Sequence, residues 1–159
     1  MKIPTLMLTA AAFGLTACNA MGSPTPPPLG GPVGNATLTT ATKAPFGTYV
    51  VDGSGRAVYI LEGTRGMSGI NRCSGACLSA WPPMMINGRP GGASGISQAQ
   101  LRTVSGYSGT QVSYSGWPLY YYHTDQAPGD TTGQGVRDQW GMWYLIRPNG
   151  EPIRPAGGY

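Results

Sequence analysis

The chain has 159 residues, room for one domain or for one domain behind a leader. Glycine (26) and proline (15) are abundant while charged side chains make up only 10%, which excludes a coiled coil, a charge-driven disordered tail and a long solvated helix. The net charge of +4 comes from 10 basic and 6 acidic residues, and every Lys and Arg stands alone, so no clustered footprint for nucleic acid exists.

Residues 1–17 read as an export signal: Lys2 supplies the positive start, Ile3 to Leu15 is mostly apolar, and small residues follow. The apolar run is too short to span a bilayer. Leu15-Thr16-Ala17-Cys18 resembles a bacterial lipobox, in which the cysteine becomes the lipidated first residue of the mature chain. Ordinary secretion, with cleavage after a nearby small residue, is the alternative. Several acyl chains on Cys18 would hold the protein firmly to a membrane, where a single chain would not. Asn19 follows; by resemblance to Gram-negative lipoproteins, a residue other than Asp there favours the outer membrane, with the domain facing the periplasm or the surface.

Residues 18–45 are then the lipidated cysteine and a spacer. The stretch 19–42 has no charge, and Pro24, Pro26, Pro27, Pro28 and Pro32 alternate with Gly, Ser and Thr. Such composition favours extended polyproline II at about 3.1 Å per residue. A proline-rich ligand for a partner groove is the competing reading. A single folded domain is expected over residues 46–159.

That domain favours strands. Thr48-Tyr49-Val50-Val51, the turn Asp52-Gly53-Ser54-Gly55 and Arg56-Ala57-Val58-Tyr59-Ile60-Leu61 suggest a hairpin. Gln111-Val112-Ser113-Tyr114, Ser115-Gly116 and Pro118-Leu119-Tyr120-Tyr121-Tyr122 repeat the plan. Val58-Tyr59 aligns with Leu119-Tyr120 at an offset of 61, and Trp81 with Trp143 at an offset of 62. Two related β-units follow, about 47–86 and 111–148, joined by residues 87–110. In the joint, Ile96–Leu101 could form a short helix capped by Ser97. The expected fold is all-β, with two hairpin-based repeats sharing one core, sandwich- or barrel-like.

Several ordered motifs resemble those of one family. Tyr120-Tyr121-Tyr122-His123-Thr124-Asp125 fits a Tyr-x-aromatic-x-x-Asp motif; Cys73-Ser74-Gly75-Ala76-Cys77, Trp81-Pro82-Pro83, Gly116-Trp117-Pro118-Leu119-Tyr120 and the loop Pro128 to Val136 match in order. Over about residues 47–148 the chain resembles a family of bacterial predicted lipoproteins, the secreted repeat of unknown function. In the first unit Tyr59-Ile60-Leu61-Glu62-Gly63-Thr64 departs from the motif, lacking its second aromatic and its Asp. The resemblance implies an exported, repeat-built protein and brings no settled activity, substrate or cofactor.

Four features carry candidate chemistry. Cys73 and Cys77 are the two thiols left once Cys18 is lipidated, and export places them where disulfides persist. A structural disulfide, a labile redox pair and a soft-metal site for copper, with His123 as a third ligand, are the three readings. His123, two residues before Asp125, is the sole histidine; no Gly-x-Ser-x-Gly elbow accompanies it, so no hydrolase constellation appears and no catalytic residue is assigned. The loop Pro128–Gly135 reads as turns with Asp130 bonded to its own backbone. Finally, Tyr120, Tyr121 and Tyr122 cannot all face one core, so one face of the strand is aromatic on the outside unless a second layer covers it. Trp117, Tyr120, Tyr122 and Asp125 are the binding candidates, for a glycan, a peptide or another envelope protein. The leading reading is a non-enzymatic, lipid-anchored envelope protein without cofactor; the alternative is redox or copper handling by the cysteine pair.

Overall fold

The structure, a computed structural model, describes residues 36–67 and 73–155. The leader, Cys18 and the proline-rich part of the spacer lie outside the described residues. The first strand, β1 (Thr37–Lys43), begins earlier than the expected domain boundary near Phe46. Its β-branched threonines favour extended backbone, and Leu38 is fully buried. β1 pairs antiparallel with β2 (Gly47–Asp52), Leu38 opposite Asp52 and Lys43 opposite Gly47. The hairpin expected between 48 and 61 is reduced to one bridge, Val51 to Ala57, before β3 (Tyr59–Leu61). The turn there is made by Asp52, whose Oδ1 accepts from the backbone N–H of Ser54 and Arg56 at 2.9 and 3.0 Å.

A single helical turn, α1 (Ala76–Ala80), leads into Trp81 and then β4 (Met85–Ile86) and β5 (Gly91–Gly92). The expected helix at 96–101 shrinks to one 3-10 turn, Gln98–Gln100, with no bond from the Ser97 side chain. Leu101 is pulled into a strand instead, because its side chain is needed in the core. β6 (Leu101–Gly106) and β7 (Gly109–Tyr114) form a six-pair hairpin through Tyr107 and Ser108. β8 (Trp117–Pro118) folds back on β7. β9 (Arg137–Asp138) and β10 (Gly141–Leu145) close the chain's sheets.

The two units exchange strands. Val50 N–H donates to the Ile146 carbonyl at 2.9 Å, and Val112 N–H donates to the Met84 carbonyl at 2.9 Å. The second pair is the first with the units interchanged at an offset of 62. Accordingly β10 pairs with β3, and β4 with β7. Tyr59 and Tyr120 exchange backbone hydrogen bonds with each other, at 2.8 and 2.9 Å, and so sit at the centre of the exchange.

The sheets pack in a sandwich-like, mainly β arrangement without a closed barrel. Its interior is divided. Val50, Val58, Ile60, Leu119, Tyr121, Tyr144 and Ile146 belong to one apolar cluster. Their chain neighbours Tyr49, Val51, Tyr59, Leu61, Tyr120, Trp143 and Leu145 belong to a second. The central segments are therefore buried on both faces, which is why Val58–Leu61, Leu119–Tyr122 and Trp143–Ile146 read as unbroken apolar runs. The expectation of one shared core becomes two cores on either side of one layer.

Candidate functional site

The second core holds the aromatic centre. Trp81 lies flat on Trp143, ring centroids 3.9 Å apart at 8°, and Tyr122 covers the other face of Trp81 at 4.2 Å. Tyr59 meets Trp81 edge-on at 5.6 Å. Two stacked indoles leave two N–H donors to satisfy in one place, and one carboxylate takes both. Asp138 Oδ2 accepts from Trp81 Nε1 at 2.8 Å and Trp143 Nε1 at 2.9 Å. Its Oδ1 accepts from the backbone N–H of Trp140 at 2.9 Å and Gly141 at 3.2 Å. All four acceptor positions of the carboxylate are filled. Asp138 thus ties the stack to the β9–β10 turn.

The binding candidates named from sequence are placed as follows. Trp117 is buried, its Nε1 donating to the Gly150 carbonyl at 3.2 Å. Tyr120 is buried, with burial and then the Gln111 side chain, a hydrogen-bond partner, acting on its hydroxyl in opposite directions; the net effect raises its pKa. Asp125 is buried and accepts from the Tyr59 hydroxyl at 2.6 Å and the Thr132 backbone N–H at 3.0 Å. Tyr122 alone of the four is half-exposed. Tyr121 points opposite to Tyr120, and the second layer that would cover the strand's outer face is present, with one core on each side. Tyr121 donates to Asp52 Oδ2 at 3.0 Å beneath the Arg56 guanidinium, 4.3 Å above its ring.

Burial, then the Asp125 hydrogen bond, push the Tyr59 phenol far above the ordinary tyrosine value; burial and then the Asp52 charge do the same to Tyr121. Neither phenol ionises in the native protein at neutral pH. Among the described residues no buried side-chain nitrogen or oxygen lacks a partner.

Cys73 and Cys77 form a disulfide, S–S 2.03 Å, fully buried in the second core. His123 is exposed, its Nδ1 3.2 Å from the Ala80 carbonyl and its ring edge-on to Tyr122. The chain turns at His123, so His123 points out while Asp125 points in, and the two do not share a face. Among the described residues no three His, Cys, Asp or Glu side chains gather as a metal group. Asp130 Oδ2 accepts from the backbone N–H of Gln126 and Ala127, as expected for a turn-making aspartate.

Sequence reasoning passed over a groove of about 550 Å³ beside β9 and β10. Glu62, Gly63, Arg137, Gln139, Trp140 and Met142 line it. Arg154 pairs with Glu62 at 3.0 Å on the rim. Trp140 is half-buried and rides on the turn fixed by Asp138. Gly141 permits that turn: its φ is +141°, and a Cβ there would sit 2.9 Å from Leu61 Cδ1. The signal that could have found the turn is Asp138-Gln139-Trp140-Gly141, an aspartate followed at three residues by glycine.

Residues 102–147 match the family model described as a secreted repeat of unknown function. The match runs from the second residue of β6 to two residues past β10, so the second unit carries that repeat, in agreement with the family the motifs resemble. It fits an exported, β-rich protein. No curated protein and no solved structure matches the chain. No helix among the described residues is long and apolar enough to cross a membrane.

Proposed function

We propose that the chain is a lipid-anchored, non-enzymatic envelope protein whose β-domain binds a neutral glycan in the groove beside Trp140. The observation that carries this reading is the groove's make-up. A half-exposed indole stands on a turn that Asp138 locks to two buried tryptophans. Glu62, Arg137 and Gln139 surround it with planar hydrogen-bonding groups. An indole face against sugar C–H groups, with planar amide, guanidinium and carboxylate groups for the hydroxyls, is the chemistry of a saccharide site. A ledge held rigid before binding loses little entropy on binding. The saturated interior carboxylates and the closed disulfide support binding over catalysis. The anchor rests on Leu15-Thr16-Ala17-Cys18, and the uncharged proline-rich stretch after it serves as the spacer.

The test is titration with soluble oligosaccharides of neutral hexose and N-acetylhexosamine, followed by tryptophan fluorescence. A saturable signal that weakens roughly tenfold or more in Trp140→Ala, with an unchanged thermal unfolding midpoint, is expected. A signal untouched by Trp140→Ala, or none with any saccharide, defeats the glycan reading. For the anchor, Cys18→Ser should move the protein from the membrane to the soluble fraction; an unchanged membrane fraction defeats it.

A further inference from the structure

The two units treat equivalent strand edges differently. In the first, the outer edge of β1 is covered: Gly91 N–H donates to the Ala36 carbonyl and Ala93 N–H to the Leu38 carbonyl, both at 2.8 Å, and β5 runs parallel beside Thr37 and Leu38. Leu38 corresponds to Leu101 of β6, each buried in the same cluster at the start of its hairpin. On β6 no strand takes the place of β5 among the described residues.

The direction of the open groups follows from the ladder. Leu101 N–H donates to the Gln98 carbonyl, and the Leu101 carbonyl accepts from the Arg102 guanidinium at 2.8 Å. Both Leu101 groups therefore point away from β7. In an antiparallel pair the direction alternates along the strand, so Thr103 and Ser105 also turn their N–H and C=O outward. Val112, opposite Thr103, confirms it, since both its backbone groups bond to the other side, to Met84 and Leu119. Beside this edge lies a depression of about 280 Å³ lined by Arg89, Gln98, Arg102 and Thr103, with no carboxylate in it. Both arginines are exposed and belong to neither ion pair of the described residues.

We propose that β6 is a docking edge for an extended acidic peptide segment of another protein. The segment adds as a strand to Thr103 and Ser105 and places carboxylates against Arg89 and Arg102. Backbone pairing supplies the attraction common to any extended chain, and the two guanidinium groups select an acidic one. A second copy of β6 at the same edge is disfavoured, because its residues Leu101–Gly106 carry no acidic side chain to set against Arg89 and Arg102. The chain's own residues 19–35 carry no acidic side chain to offer. This inference is independent of the glycan groove, which lies on β9 and β10.

The experiment uses the full chain and a fluorescent decapeptide of alternating Glu with Thr or Val, read by anisotropy. The control is the same peptide with Gln for Glu. The acidic peptide should bind at least roughly fivefold more tightly than the control, and the difference should shrink at high salt. Arg89→Gln, which removes no hydrogen bond or ion pair among the described residues, should reduce that preference. Thr103→Pro removes an outward N–H without touching the β6–β7 ladder and should abolish binding. In amide exchange, Thr103 and Ser105 should become protected only when peptide is added. Equal affinity for the two peptides, undiminished binding by Thr103→Pro, or protection of those amides by self-association alone would overturn the proposal.

Discussion

Asp125 accepts hydrogen bonds from the Tyr59 hydroxyl and from both the backbone and the side chain of Thr132. It is 2% exposed, so removing it strands the Tyr59 phenol in the core and leaves the Thr132 amide without its acceptor. Asp125→Ala should cost about 3 kcal/mol of unfolding free energy and Tyr59→Phe about 1.5 kcal/mol, measured by urea unfolding. Equal, negligible losses would mean that the pair contributes nothing. The sequence showed Asp125 as the end of its own motif, with Tyr120 and Tyr122. It could not show that its partner is Tyr59, from the other unit and 66 residues away. In the mirror position Thr64 replaces the aspartate and bonds the Leu61 carbonyl at 2.7 Å, so the exchange is made only once. The buried phenols also set an alkaline limit. Tyr59 and Tyr121 keep their protons in the native state well above pH 10, where the unfolded chain releases them. Above about pH 10 the native state thus binds more protons, and stability falls as pH rises, by roughly 1.4 kcal/mol per pH unit for each phenol. Below that pH these two groups contribute no slope. Tyr59→Phe with Tyr121→Phe should flatten the decline measured between pH 9 and 11.5; an unchanged decline would assign it to other groups.

At the scale of elements, the loop from Pro128 to Val136 shows what turn signals leave out. Its glycines and Asp130 mark turns, and the structure has them. Yet Gly133 is there for a contact: a Cβ on it would meet Tyr59 Cζ at 2.9 Å and Trp81 Cζ3 at 3.0 Å. The loop lies directly on the aromatic centre and serves as the roof of the second core. Gly133→Ala must push back two buried rings that are already packed, and should cost about 1–3 kcal/mol in thermal or urea unfolding. Gly135→Ala, two residues on, meets nothing within 4 Å but holds φ +74°. Its smaller loss, about 1 kcal/mol, would come from the backbone alone. A Gly133→Ala loss no larger than that of Gly135→Ala would show that the loop yields easily. The strands themselves were legible wherever β-branched or aromatic runs were long. β1 was missed because its threonines merge in composition with the spacer before it, and only Leu38 marks its buried side. Whether Tyr120 and Trp117 face solvent stays open in the sequence, because alternation tells which residues oppose each other and gives no count of the layers above and below.

For the whole molecule the repeat offset was visible, at 61 to 62 residues, but the exchange of strands was not. Two units lying side by side and two units trading their last strands have the same apolar pattern. What distinguishes them is which unit supplies the partner of Val50 and of Val112, and in each case it is the other one, through Ile146 and Met84. The stacked pair Trp81–Trp143 is likewise built from one residue of each unit, with Asp138 of the second unit serving both. Neither unit then owns a complete core, since β3 leans on β10 and β7 on β4. A piece of about 50 residues buries too little surface to stand without such a complement. Residues 36–87 and residues 101–155, made separately, should each give the circular dichroism and narrow amide dispersion of an unfolded chain. The intact protein should unfold in one transition by tryptophan fluorescence and circular dichroism together. Native-like dispersion in either fragment alone would contradict this, since it would require one unit to close a core without the other. Two separate transitions in the intact chain would contradict it as well, because strands shared in both directions leave no half that can melt first.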